Sequence, residues 1–181
     1  NIEEELRDYS TAKFGKFQGR EIMVGALARL AHLETEFPSG NSVSIKLDFD
    51  NPFHNNFAQA VEILKFHKEA EEIIEKLLGM GMEVRPTTVV GESNSTTVVE
   101  FKGIGAVEAP RGGLYHEIHL GEKGIITYAN IITPTVQNLT SIEKSAQVLL
   151  DQTKNLENKE RERLLNMLVR AYDPCITCAV H

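Results

Sequence analysis

Leu27, Leu30 and Leu33 recur at helical spacing, so Gly25 to Leu33 reads as a short amphipathic helix. A loop follows around Pro38-Ser39-Gly40-Asn41. The clearest periodic stretch is 57–78, where Ala60, Ile63, Leu64, Ala70, Ile74, Leu77 and Leu78 form one apolar face. Asn56 with Gln59 gives it a capping-box-like start, and Gly79 and Gly81 supply its stop. The period then changes. Met82 to Val90 and Thr96 to Phe101 are rich in β-branched residues and predict strands. Leu114 to Leu120 and Ile125 to Ile132 flank Gly121-Glu122-Lys123-Gly124, a hairpin signal. Thr140-Ser141-Ile142-Glu143 is a capping box that predicts a helix to about Leu150. Asn158 caps a last helix to about Tyr172, with Leu164, Leu165, Leu168 and Val169 on its apolar side. The predicted fold class is α+β, mostly α-helical, with long core helices and a small antiparallel sheet insert at about 82–132.

A chain of 181 residues is one domain or one large piece of a bigger one, and 41% hydrophobic content is enough for a real core. The net charge of −7 argues against nucleic acid or an anionic membrane as partner. No apolar run approaches the ~20 residues of a transmembrane span. Asn1-Ile2-Glu3-Glu4-Glu5 is acidic and unlike a signal peptide, so a cytoplasmic location is expected. Asn94-Ser95-Thr96 and Asn138-Leu139-Thr140 match glycosylation acceptors, which mean little without a secretory context.

The chemistry concentrates in Asp173-Pro174-Cys175-Ile176-Thr177-Cys178-Ala179-Val180-His181, which holds both cysteines of the chain. Pro174 cannot continue the preceding helix, so it turns the chain into a loop. Two thiolates three positions apart can bind one metal centre from such a loop. Other readings compete. A thioredoxin-type pair opens a helix after a strand, whereas this pair follows a helix. A c-type haem needs histidine where Ala179 stands. A structural zinc site with Cys175, Cys178 and His181 lacks a fourth ligand.

Glu108-Ala109-Pro110-Arg111-Gly112-Gly113 puts a guanidinium on a stiff turn; its plain alternative is a solvated turn arginine. Gly103-Ile104-Gly105 begins a dinucleotide fingerprint, but Glu108 replaces its third glycine. His116 and His119 fall on opposite faces of a strand and are not expected to share a metal. Thr133-Pro134-Thr135 reads on its own as a strand terminus and turn.

Together, three segments resemble the large (catalytic) subunit of the nickel–iron hydrogenases. They are Glu108-Ala109-Pro110-Arg111-Gly112 with His116, then Thr133-Pro134-Thr135-Val136-Gln137-Asn138-Leu139, then Asp173-Pro174-Cys175-x-x-Cys178-x-x-His181. Val24 to Leu30 also looks like the family's helix-opening segment. The likeness is strongest to the soluble, multimeric, cofactor-linked branch. It implies reversible heterolytic cleavage of H2 at a nickel–iron centre whose iron carries CO and cyanide. By resemblance, Cys175 is a terminal nickel ligand and the favoured proton acceptor, with Arg111 the other candidate. Cys178 bridges nickel and iron. Arg111, the Pro110 backbone and Thr135 surround the diatomic ligands, and Asp173 pairs with or orients Arg111. His181, with the Ile131 carbonyl, binds Mg2+ or iron. Precursors in the family lose a C-terminal extension after this histidine, which implies a maturation protease and a nickel chaperone.

One departure is large. The family's first cysteine pair, which supplies the other two nickel ligands, is absent. The chain is therefore expected to be the C-terminal portion of a large subunit, lacking the N-terminal metal-ligand portion and inactive alone. The implied partners are that portion, an iron–sulfur small subunit and further electron-transfer subunits. The alternatives are a non-catalytic relative on the same fold and a zinc-binding interaction domain.

Overall fold

The structure is a computed structural model that describes residues 2–33, 47–81, 101–121 and 124–180. β1 (Ile2–Arg7) and β2 (Ser10–Phe17) form an antiparallel hairpin. α1 (Ala26–Leu33) follows, then a single 3-10 turn at Pro52–His54 that runs into α2 (Asn55–Met80). A second sheet has the antiparallel order β3 (Phe101–Ala109), β4 (Gly112–Leu120), β5 (Ile126–Ile132). Two packed helices, α3 (Pro134–Gln152) and α4 (Asn158–Tyr172), complete the core.

Two apolar clusters hold these elements. Ala26, Leu27 and Leu30 of α1 pack with Leu47 and with Ala58 of α2. Ala12 and Phe14 of β2 pack with Val136 of α3 and with Ala179. Polar bonds stitch the seams. The Thr140 hydroxyl donates to the Gly15 carbonyl at 2.9 Å, and the Tyr172 hydroxyl bonds Ser141 and Ser145 at 2.8 and 3.0 Å.

The α+β class with long helices and a small antiparallel sheet is borne out, but several details differ. α2 starts at Asn55, not after an Asn56 cap, because the 3-10 turn capped by Asn51 feeds directly into it. It passes through Gly79 and stops at Gly81. Its distal apolar face is exposed, with Ile63, Leu64, Ile74, Leu77 and Leu78 all at least half accessible. The N-cap of α3 is Thr133, seven residues before Thr140. Pro134 occupies its first turn, and the Thr133 hydroxyl accepts the Val136 N–H at 3.3 Å. Asn158 lies just inside α4, after Glu157. Gly103 and Gly105 lie within β3, paired with Ile118 and His116, which rules out a phosphate-binding turn there. The β1–β2 hairpin has no counterpart in the sequence reading. The loop at Pro38–Asn41, the strand at Met82–Val90 and all of the strand at Thr96–Phe101 except Phe101 lie outside the described residues.

The start of α3 is testable. Thr133→Ala is expected to cost about 1 kcal/mol by denaturant unfolding. Glu143→Ala, which removes the acceptor a capping box at Thr140 needs, is expected to stay within about 0.5 kcal/mol. Equal losses would return the helix start to Thr140.

Candidate metal centre

The cysteine loop is built from the end of α4. Asp173 takes the left-handed conformation, φ 48° and ψ 55°, and its N–H bonds the Val169 and Arg170 carbonyls at 3.1 Å each. Aspartate is one of the few residues that tolerate this region. Pro174 then bars any return to helix. A 3-10 turn at Ile176–Cys178 follows, closed by the Cys178 N–H on the Cys175 carbonyl at 3.1 Å. The turn joins the two sulfurs as a Cys175–Cys178 disulfide, with Cα atoms 5.4 Å apart. The loop is fixed at both ends. The Cys175 N–H donates to the Thr135 hydroxyl at 3.0 Å, and Ala179 is buried against β2 and α3.

Arg111 sits on the β3–β4 turn. Gly112 has φ 134°, and a Cβ there would lie 2.4 Å from Val24 Cγ2. Gly25 has φ 115°, and its Cβ would lie 3.0 Å from the Arg111 carbonyl oxygen. Only glycines let the start of α1 lie against this turn. Arg111 Nε and Nη2 both reach Asp173 Oδ2, at 2.6 and 2.5 Å. These side chains are 42% and 52% exposed, so the pair contributes about 0–1 kcal/mol. Its effect is to aim the guanidinium at the segment carrying the thiols.

Arg29, which sequence reasoning missed, holds this turn from behind. Its Nε and Nη2 grip both oxygens of Glu62, at 2.7 and 2.6 Å. Its Nη1 pairs with Glu108 and donates to the Ala109 carbonyl at 3.1 Å, and its Nη2 donates to the Pro110 carbonyl at 2.7 Å. The Glu62 carboxylate above all raises the Arg29 pKa; burial opposes this, and Glu108 adds to it. The available signal was Glu62, a charge that shares a helical stripe with the buried Asn55 and Ala58.

Three buried amides finish the frame. Asn138 accepts the Val24 N–H at 2.8 Å and donates to the Val24 carbonyl at 3.1 Å. Gln137 donates to the Gly113 and Thr133 carbonyls at 2.6 and 3.1 Å. Asn55 accepts the Leu27 N–H at 3.0 Å and donates to the Ala171 carbonyl at 2.7 Å. Asn138 is thus a structural amide in this fold.

The structure therefore joins Arg111 to Asp173, Thr135 to Cys175, and Cys175 to Cys178. The Pro110 carbonyl is taken by Arg29. Ile131 lies on β5 opposite His116, and His181 lies outside the described residues. No cluster of three or more His, Cys, Asp or Glu side chains that could hold a metal occurs among the described residues. Two soft donors on one turn suit a thiolate-bound metal once the disulfide is reduced, and two donors do not complete such a site. The turn follows a helix C-terminus, so it lacks the helix N-terminus that activates thioredoxin-type pairs. Among the described residues, no helix is long and apolar enough to cross a membrane.

Residues 2–181 match the family described as nickel-dependent hydrogenase. The chain is 36% identical to sulfhydrogenase 2 subunit alpha of Pyrococcus furiosus, over 96% of this chain and 42% of that subunit. It is 33% identical to the NAD-reducing hydrogenase HoxS subunit beta of Cupriavidus necator, over 71% of this chain and 26% of that subunit. Its fold is that of a solved NAD+-reducing nickel–iron hydrogenase in the H2-reduced state, with a TM-score of 0.77 and 22% identity. That match covers 99% of this chain and 41% of the solved one. The chain thus spans about two fifths or less of the length of these relatives.

Arg29→Met is expected to cost about 3–5 kcal/mol, because it leaves Glu62 buried and unpaired. Asp173→Asn keeps the left-handed turn and is expected to cost less than Asp173→Ala, by about 1 kcal/mol. Denaturant unfolding of the three variants checks the Arg29→Met loss and the Asp173 ordering.

Proposed function

Since the chain belongs to the nickel-dependent hydrogenase family, we propose that it supplies the C-terminal portion of a hydrogenase large subunit and half the thiolates of its nickel–iron centre. The observation that carries this reading is the ion pair between Arg111 and Asp173, which ties a rigid arginine turn to the residue two positions before Cys175. The reaction is the reversible conversion of one H2 into two protons and two electrons. When bound, the nickel–iron centre, with CO and cyanide on its iron, supplies the redox-active Lewis acid that polarises H2.

The chain's own residues then have distinct tasks. Cys175 and Cys178 would hold the centre as thiolates, Cys175 on nickel and Cys178 shared with iron, since soft sulfur donors suit both metals. Cys175 Sγ would accept one of the two protons, since a metal-held thiolate is already deprotonated. The Arg111 guanidinium polarises without giving up its own proton, and Asp173 keeps it aimed. The Thr135 oxygen accepts the Cys175 N–H, leaving its own hydrogen to donate to a diatomic ligand. Arg29 fixes the Pro110 backbone that walls the same space. His181 and the Ile131 carbonyl would hold a Mg2+ ion or iron, which would fasten the loop. Electrons leave through an iron–sulfur small subunit and further electron-transfer subunits of a cytoplasmic heteromultimer. A maturation protease and a nickel chaperone serve assembly.

Metal analysis tests the reading. The chain alone is expected to be inactive and free of nickel, because two thiolates are half the set. The assembled large subunit is expected to hold nickel and iron. Zinc, or no metal, in the assembled protein would return the reading to an interaction domain or a non-catalytic relative.

Arg111→Lys is expected to lower H2-dependent dye reduction by about two orders of magnitude or more, on the scale of losing a preorganised charge-stabilising donor. Nickel and iron content is expected to be unchanged. Near-normal turnover would leave Arg111 a turn residue only.

A further inference from the structure

The distal part of α2 carries Ile63, Phe66, Ala70, Ile73, Leu77 and Met80, so its apolar positions alternate three and four residues apart. That is the spacing of a seam that receives another helix knobs-into-holes. The seam is open. Ile63 is 68% exposed, Phe66 46%, Ile73 54%, Leu77 51% and Met80 80%. The opposite side carries Lys65, Lys68, Glu72 and Glu75, while Leu64, Ile74 and Leu78 widen the apolar side beyond the seam, and none of it is buried by the described residues. The seam also continues the face that α2 buries closer to the site. There Asn55, Ala58 and Glu62 pack inward, and Glu62 holds Arg29.

The geometry points to an amphipathic helix from the rest of the large subunit as the occupant of this seam. That helix comes from the polypeptide that supplies the other two thiolates. The inference rests on the large-subunit reading above. A three-four seam fits a helix rather than a strand. The relatives carry the additional polypeptide, since the matched part is 42% of one and 41% of the solved chain. Continuity with the Glu62–Arg29 face makes the docked helix a wall of the same body that aims Arg111. The partner chemistry is a matching apolar seam flanked by charged residues.

Thiol footprinting on the assembled large subunit tests this. Leu77→Cys is a seam probe, Ile73→Cys a second one, and Lys68→Cys an off-seam control; all three lie at exposed positions. N-ethylmaleimide labelling of the α2 peptide is read by mass spectrometry, in the chain alone and in the assembled subunit. Assembly is expected to slow labelling of both seam thiols by about tenfold or more, as for side chains seated in a helix–helix seam, and to leave the control unchanged. Equal rates in the two states overturn the proposal. So does protection in the chain alone that grows with its concentration, which makes a second copy the occupant. Protection on assembly without nickel sustains the docked helix and removes the metal reading, so the two failures are distinct.

Discussion

A guanidinium taken out of water must find a partner for nearly every N–H, and Arg29 finds them on two other elements at once. Glu62 belongs to α2, Glu108 and the Ala109 and Pro110 carbonyls belong to the end of β3 and its turn, and Arg29 itself belongs to α1. The attraction is directional, because the fork of the guanidinium fits the Glu62 carboxylate in one orientation. Once it is satisfied, the turn that presents Arg111 has little freedom. The glycines at 25 and 112 let α1 come close enough for this to happen, and the Asn138 amide locks Val24 in place beside them. The exposed Arg111–Asp173 pair is weak by itself and depends on this frame for its geometry.

Two kinds of feature were legible in the chain, and they are unlike each other. The end of α4 was readable because Asp173-Pro174 leaves the backbone few choices. The β4–β5 hairpin was readable because β-branched runs flank a short glycine-bounded turn. Motif resemblance then drew together Arg111, Asp173, Thr135 and Cys175, and the fold sets Arg111 on Asp173 and Cys175 on Thr135. Local pattern could not have done that, since the partners are 40 to 62 residues apart.

The failures have physical causes as well. Thr140-x-x-Glu143 satisfies a capping rule, but Thr133-Pro134 satisfies a stronger one a short way upstream, and a continuous helix has one start. The β1–β2 hairpin stayed hidden because Glu3-Glu4-Glu5 breaks the alternation of a half-buried strand. Arg29 was not singled out on the leucine helix, because its partners come from distant segments. The helix α2 was read correctly, but the stripe it buries is Asn55, Ala58 and Glu62 rather than the apolar face. Whether it is covered depends on what packs against it, which periodicity does not encode.

Position 173 illustrates how a half-exposed residue can have almost no chemical latitude. The left-handed backbone admits glycine, asparagine and aspartate with little strain. The grip on Arg111 asks for a carboxylate, which aspartate and glutamate provide. The two sets share a single member. Solvent exposure ordinarily signals that a side chain is free to vary, because nothing is packed around it. Here the vocabulary is reduced to one letter by the overlap of a conformational demand with an electrostatic one.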